Sequence, residues 1–219
     1  MKLFRIILPM VIMVFSACQQ SNTTYWPNGN KKSEISMKGK NYHGTATFWY
    51  ENGRVQTSCN YENNNLEGLL ISRYPSGKMQ ASQNYRMGKL NGTVKEFDPD
   101  GRLTSEINYR DGVLHGSYME FYPGKVLKLE GKYVDGNHQG TWLYYDQAGM
   151  IIGEGFFVNG NGLQRAFYEN GKTKQSTPYV SNRKHGNEIC YRNDGTIEVI
   201  NKYIEGKLVE KISGNPNKK

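Results

Sequence analysis

The chain has 219 residues, 37% hydrophobic and 22% charged, with 25 glycines and 16 tyrosines. A mean hydropathy of −0.73 excludes a thick globular core and suits a thin sheet that is wet on at least one face. The formal net charge is +8 at pH 7, but no run concentrates it, so solvated strand faces account for it better than a nucleic-acid or lipid patch.

In chain order, the first segment reads as an export signal. Lys2 and Arg5 precede an apolar run from Ile6 to Phe15, and Ser16-Ala17 is a small-residue site before Cys18. The run is short for a transmembrane span. Phe15-Ser16-Ala17-Cys18 resembles the bacterial lipobox, whose cysteine is acylated and becomes the new N-terminus. The resemblance implies a lipoprotein signal peptide over 1–17, lipidation at Cys18, and a membrane-anchored location in the bacterial cell envelope, periplasmic or outer-membrane-associated. Residues 18–24 then form a polar tether.

From there the chain repeats. Gly44, Gly68, Gly92, Gly116, Gly140, Gly162 and Gly186 recur with spacings of 24, 24, 24, 24, 22 and 24, accompanied by Tyr61, Tyr85, Tyr109, Tyr133, Phe157, Tyr179 and Tyr203. A fixed period of this length identifies one supersecondary unit stacked on copies of itself. In the unit from Phe97 to Tyr122, Asp98-Pro99-Asp100-Gly101 reads as a tight turn. Leu103, Ser105, Ile107 and Tyr109 then alternate with Thr104, Glu106 and Asn108, the period of a strand. Asp111 to Gly116 reads as a second glycine-bracketed turn, and Ser117 to Tyr122 as the returning strand. The shortened interval between Phe157 and Gly162 lacks two residues, assigned to a turn, where an even deletion leaves strand facing untouched.

The predicted fold is therefore all-β: an elongated, twisted, single antiparallel sheet of about eight ~24-residue β-hairpin repeats over 25–212, with sixteen strands and a disordered tail over 213–219. Cys59 and Cys190 sit more than five units apart, roughly 50 Å along such a sheet, too far for a disulfide. His43, His115 and His185 are three units apart from one another, which rules out a shared metal, and His138 occupies the same kind of loop. Each reads as a polar turn residue, so no metal and no cofactor is expected. Glu96, Glu106, Glu120, Glu130, Glu154 and Glu188 fall along open strands with no pocket to perturb them, and no nucleophile motif is present. An enzyme is not expected, nor is nucleic-acid binding. Trp49, Trp142 and Tyr144 are the candidate contact residues, because Tyr and Trp suit partner surfaces.

Tyr50-Glu51-Asn52-Gly53-Arg54, Tyr168-Glu169-Asn170-Gly171-Lys172 and Tyr85-Arg86-Met87-Gly88-Lys89-Leu90-Asn91-Gly92 carry a resemblance to the MORN repeat. It is closest to the bacterial variant found in YwqK-type antitoxins. The resemblance spans about Tyr25 to Lys211 and implies an elongated sheet, protein or lipid contacts, and no catalysis common to the family. The expected function is a non-enzymatic, lipid-anchored scaffold of the envelope that presents its sheet to a protein partner or an envelope polymer. An antitoxin- or immunity-like neutraliser and a structural spacer are the alternatives. The membrane is reached through the lipidated N-terminus, and the open sheet edges invite self-association.

Overall fold

A computed structural model describes residues 20–214. Among these residues there are twenty strand segments and no helix. Three are two-residue pieces (Asn65–Leu66, Lys89–Leu90 and Arg183–Lys184) that resume one residue later, so the segments make seventeen strands. Each pairs antiparallel with its neighbours in sequence, from Gln20–Tyr25 to Lys207–Ser213, giving one open meander. The seventeenth strand comes from the segment expected to be a tether. Gln20–Tyr25 pairs with Lys31–Lys38 from Gln20↔Met37 to Tyr25↔Lys31, because the strand-favouring Thr23, Thr24 and Tyr25 continue the ladder outward. At the other end Ser213, expected in the tail, still pairs with Val199. The export signal, Cys18 and residues 215–219 lie outside the described residues.

Two kinds of turn alternate along the two edges. One edge carries five-residue loops such as Trp26–Asn30, in which Trp26 N–H donates to Asn30 O and Gly29 N–H to Trp26 O. This is a type I turn closed by a residue of positive φ, here Gly29 at φ 86°. The other edge carries two-residue turns with positive φ at both positions, for example Asp111 (50°) and Gly112 (86°), or Asn63 (48°) and Asn64 (69°). These are type I′ turns, whose twist matches that of the strands they join.

The recurring glycine column belongs to neither turn. Gly116 lies beyond the Asp111-Gly112 turn, in the returning strand, where the register slips. Tyr109 pairs with Leu114 but Ile107 pairs with Tyr118, so the returning strand carries two extra residues. The column glycines are thus bulge glycines. The interval from Phe157 to Gly162 confirms this. Its turn, Asn159-Gly160, is intact, and the ladder from Gly153↔Ala166 to Val158↔Asn161 runs without a slip. The two missing residues are therefore the bulge, not part of a turn as the sequence pattern suggested. Since the excess is even, its loss leaves the facing of later strands unchanged.

Each column aromatic sits directly opposite a column glycine: Gly44↔Tyr61, Gly68↔Tyr85, Gly116↔Tyr133 and Gly140↔Phe157. The aromatics therefore line one face, and every buried side chain shares it. Its middle lane runs through Ile35, Ala46, Cys59, Val94, Trp142, Thr177 and Glu188, with Ser33, Ala81, Ser105 and Phe157 beside them. Trp142 lies flat against Gly131, where any side chain would collide with its ring. Gly131→Ala is expected to cost about 3 kcal/mol through overpacking. Gly140→Ala, at φ +71° with open space around it, should cost only about 1 kcal/mol through backbone strain. Urea-unfolding midpoints compare them, and equal losses would remove the packing argument for Gly131.

Candidate functional site on the aromatic face

The aromatic face changes chemistry along its length. At the N-terminal end Ile35, Ala46 and Cys59 form an apolar cluster covered by Phe48, Tyr61, Leu66 and Leu70. In the middle the rings touch in series. Tyr118 and Tyr133 are 5.6 Å apart, Tyr133 and Trp142 5.0 Å, Trp142 and His138 4.6 Å, His138 and Phe157 5.1 Å, and Phe157 and Tyr179 5.6 Å. Toward the C-terminus the same lane carries Gln164, Thr177, Glu188 and Asn201 and is held by hydrogen bonds.

The six strand glutamates divide by facing. Glu106, Glu130 and Glu154 are on the opposite face, whereas Glu96, Glu120 and Glu188 share the aromatic one. Burial would raise the Glu120 carboxyl, but hydrogen bonds from Tyr118 (2.7 Å) and Lys128 (3.0 Å) outweigh it and hold the group below its ordinary value. Glu188 departs furthest from the open-strand expectation, being only 3% exposed. Burial again opposes its charge, and three donors overcome the effect: Lys184 Nζ at 2.5 Å, Thr177 Oγ1 at 3.0 Å and Asn201 Nδ2 at 3.1 Å. Glu96 receives one hydrogen bond, from Ser105 Oγ at 3.0 Å, and no lysine or arginine pairs with it among the described residues.

The histidines have separate tasks. Before five bulge glycines the preceding residue turns its side chain to the first turn residue of the next repeat, whereas His43, before Gly44, has a buried Nδ1 with no hydrogen-bond partner among the described residues. Glu67 accepts from Met87 N–H, Asn91 from Asp111 N–H, His115 from Asp135 N–H, and Gln139 from Asn159 N–H, always twenty positions on. His185 does the same for Glu205 N–H at 3.5 Å. These are bulge caps between repeats rather than turn residues. His138 instead points into the aromatic series, opposite Tyr133, in the column where Leu66, Leu90 and Leu114 stand. Its Nδ1 lies 3.0 Å from Asn182 Oδ1 and its Nε2 3.0 Å from Tyr133 Oη. Both contacts suit a neutral ring with the proton on Nδ1. Burial lowers its pKa, and the bond to Asn182 opposes that.

Asn182 is a residue that periodicity did not single out. It replaces glycine in its turn, at φ 63°. It reaches past Gly160 to the turn before, accepting from His138 N–H at 2.9 Å and donating to Gly136 O and to Asn137 Oδ1. The reach is possible because the missing bulge draws these repeats together, and Gly160 has no side chain to block it. The readable signal is Ser181-Asn182 where most units carry Gly at the second position.

Of the predicted contact residues, Trp142 is 2% exposed and belongs to the packed series, so a partner cannot reach it. Tyr144 lies two residues on, opposite Gly153 on the same face; burial pushes its hydroxyl to about 12. Trp49 ends a different strand and accepts a hydrogen bond on its carbonyl from Trp26 Nε1 at 3.0 Å. The three do not converge. Cys59 is buried and Cys190 half-buried, both unpaired.

A family model described as the MORN repeat variant matches residues 42–63, 90–111, 139–159 and 161–181. The chain carries MORN repeats. Each match runs from one type I′ turn to the first residue of the next, so the repeat is the hairpin built around a five-residue loop. No curated protein matches the chain.

The polar networks between MORN repeats make two predictions. Glu188 sits below its ordinary value of 4.5 in the folded chain, so its contribution is present above pH 4.5 and is lost as pH falls through the depressed value. Glu188→Gln should cost about 2 kcal/mol near pH 7, with the gap to wild type closing on acidification to about pH 3; an unchanged gap there would show that the charge contributes nothing. Asn182→Ala should cost about 2–3 kcal/mol by removing the side-chain bonds that tie its turn to Gly136, Asn137 and His138. Amide hydrogen exchange should then show faster opening at Asn137–His138 while the N-terminal repeats keep their protection, and uniform loss would contradict that locality.

Proposed function

We propose that the chain is a non-enzymatic binding scaffold of the bacterial envelope, anchored through Cys18, which offers the aromatic face of its MORN sheet to a protein or envelope polymer. The observation that carries the reading is its surface. The protein exposes 14912 Å², against roughly 10,000 Å² for a compact globular protein of this mass. Among the described residues only seven hydrophobic ones are buried. A chain that uses its length to display surface rather than to enclose a core is suited to contact. The carboxylates Glu120 and Glu188 are tied into structural hydrogen bonds, which supports a role without catalysis. The apolar run before Cys18 and the closeness in sequence of the strand Gln20–Tyr25 to that cysteine support an anchor with the sheet standing close to the bilayer.

The test has two parts. Metabolic labelling with palmitate should mark wild type and not Cys18→Ala, and equal labelling would remove the anchor. Crosslinking in cells followed by purification in detergent should recover a partner in stoichiometric amount; recovery of none would favour a spacer, and recovery of a toxin-like partner a neutraliser.

A further inference from the structure

The five-residue loops are stapled to one another. Trp26 Nε1 donates to Trp49 O, and Tyr50, Tyr74, Tyr122 and Tyr168 donate through Oη to Arg73 O, Phe97 O, Tyr145 O and Tyr191 O, each twenty-three positions on. The column breaks at Asp98, Asp146 and Arg192. Asp98 folds back on its own loop, accepting from Arg102 N–H at 2.9 Å. A concavity of ≈ 600 Å³ adjoins Asp98 on the side of the preceding loop, that of Tyr74. Its walls include Tyr74, Ala81, Gln83, Glu96, Phe97 and Asp98. Small residues deepen it: Ser72 and Ala81 face each other where Phe48 and Thr57, or Tyr144 and Gly153, pair in other units.

The charge of this concavity runs against that of the chain. In a protein with eight more basic than acidic residues, it is lined by two carboxylates and by no lysine or arginine. Asp98 has Arg102 at 3.7 Å. Glu96 has only the Ser105 hydroxyl, is open to solvent, and lies among aromatic and amide groups. A carboxylate without a counter-ion, beside the rings of Tyr74 and Phe97, suits a cation that can also lie over a ring.

We infer that this concavity receives a lysine or arginine side chain of a partner polypeptide, with Glu96 as its counter-ion. The inference rests on the scaffold reading and gives it a place and a chemistry. The volume accommodates an extended basic side chain together with its flanking backbone. Glu96 and Asp98 supply the acceptors, and the amide oxygen of Gln83 adds a third.

The test uses the full chain in non-ionic detergent and three blocked tripeptides: acetyl-Gly-Arg-Gly-amide, its lysine counterpart and its glutamine counterpart. Amide resonances of Ala81, Gln83 and Glu96 should shift saturably with at least one of the two basic peptides and not with the glutamine one. Glu96→Gln should weaken that binding at least tenfold, whereas Glu106→Gln, on the opposite face beside Lys95, should leave it unchanged. Absence of a localised shift, an equal response to the glutamine peptide, or full binding by Glu96→Gln would each overturn the assignment. A cellular partner recovered equally by wild type and Glu96→Gln would overturn the pocket and leave the scaffold standing. An intact amide spectrum for Glu96→Gln confirms that its fold is retained.

Discussion

Two extra residues on a returning strand set most of what is distinctive in this sheet. An excess of two keeps the period-two alternation and leaves a kink. The kink needs positive φ, which Gly92 adopts at 111° and Gly116 at 109°. It also projects the preceding side chain sideways, so that Asn91, His115 or Gln139 meets the next turn's first N–H. Directly opposite the kink stands the aromatic of the next strand. The glycine, the aromatic opposite it and the polar cap thus recur together and couple each repeat to the one after it, and at Gly162 they persist without the bulge, Asn161 accepting from Ser181 N–H.

Where the device is absent, other contacts take over. Between Val158 and Asn161 the ladder is regular and Gly162 is no longer at positive φ, yet the position still admits no side chain because Phe156 and Phe157 crowd it. The same residue persists in the column for a steric rather than a conformational reason. Asn182 spans the contracted interval, and His138, Trp142 and Phe157 pack tightly beside it. The centre of the array therefore relies on rings and one asparagine, the N-terminal end on Ile35, Ala46 and Cys59, and the C-terminal end on the bonded Glu188. A single-layered sheet cannot draw on a common core, so each stretch is stabilised by its own neighbours.

The columns made the architecture legible, because a repeat with period-two strands has few ways to fold. The alternation from Leu103 to Tyr109 placed Ser105 and Ile107 on the covered face, as found. The role of the column glycines was not legible. A glycine after His115 looks like turn punctuation, and only strand pairing shows that Asp111-Gly112 had already completed the turn. Trp142 was misjudged as a contact residue for a related reason. Size and aromaticity do not report facing, and Trp142 falls opposite Gly155 on the covered side. Glu188 draws on partners four to thirteen positions away on three strands, and Asn182 on partners forty-four to forty-six away, which no local pattern carries.

In a repeat sheet, individuality lies in the departures from the consensus. A perfectly regular array would offer the same surface at every step and could fix neither the register nor the orientation of a partner. This one departs at a few places: the lost bulge at Asn161-Gly162, the leucine column interrupted by His138, and the aromatic staple replaced by Asp98. The first two are spent internally, drawing three turns and a row of rings together. The third is not. Asp98 closes its own loop and leaves the next one unstapled, and on its other side, toward Tyr74, a concavity holds the Glu96 carboxylate with no lysine or arginine in its lining. A regular scaffold with a charged irregularity of this kind has a reason to bind at that point rather than along its whole length.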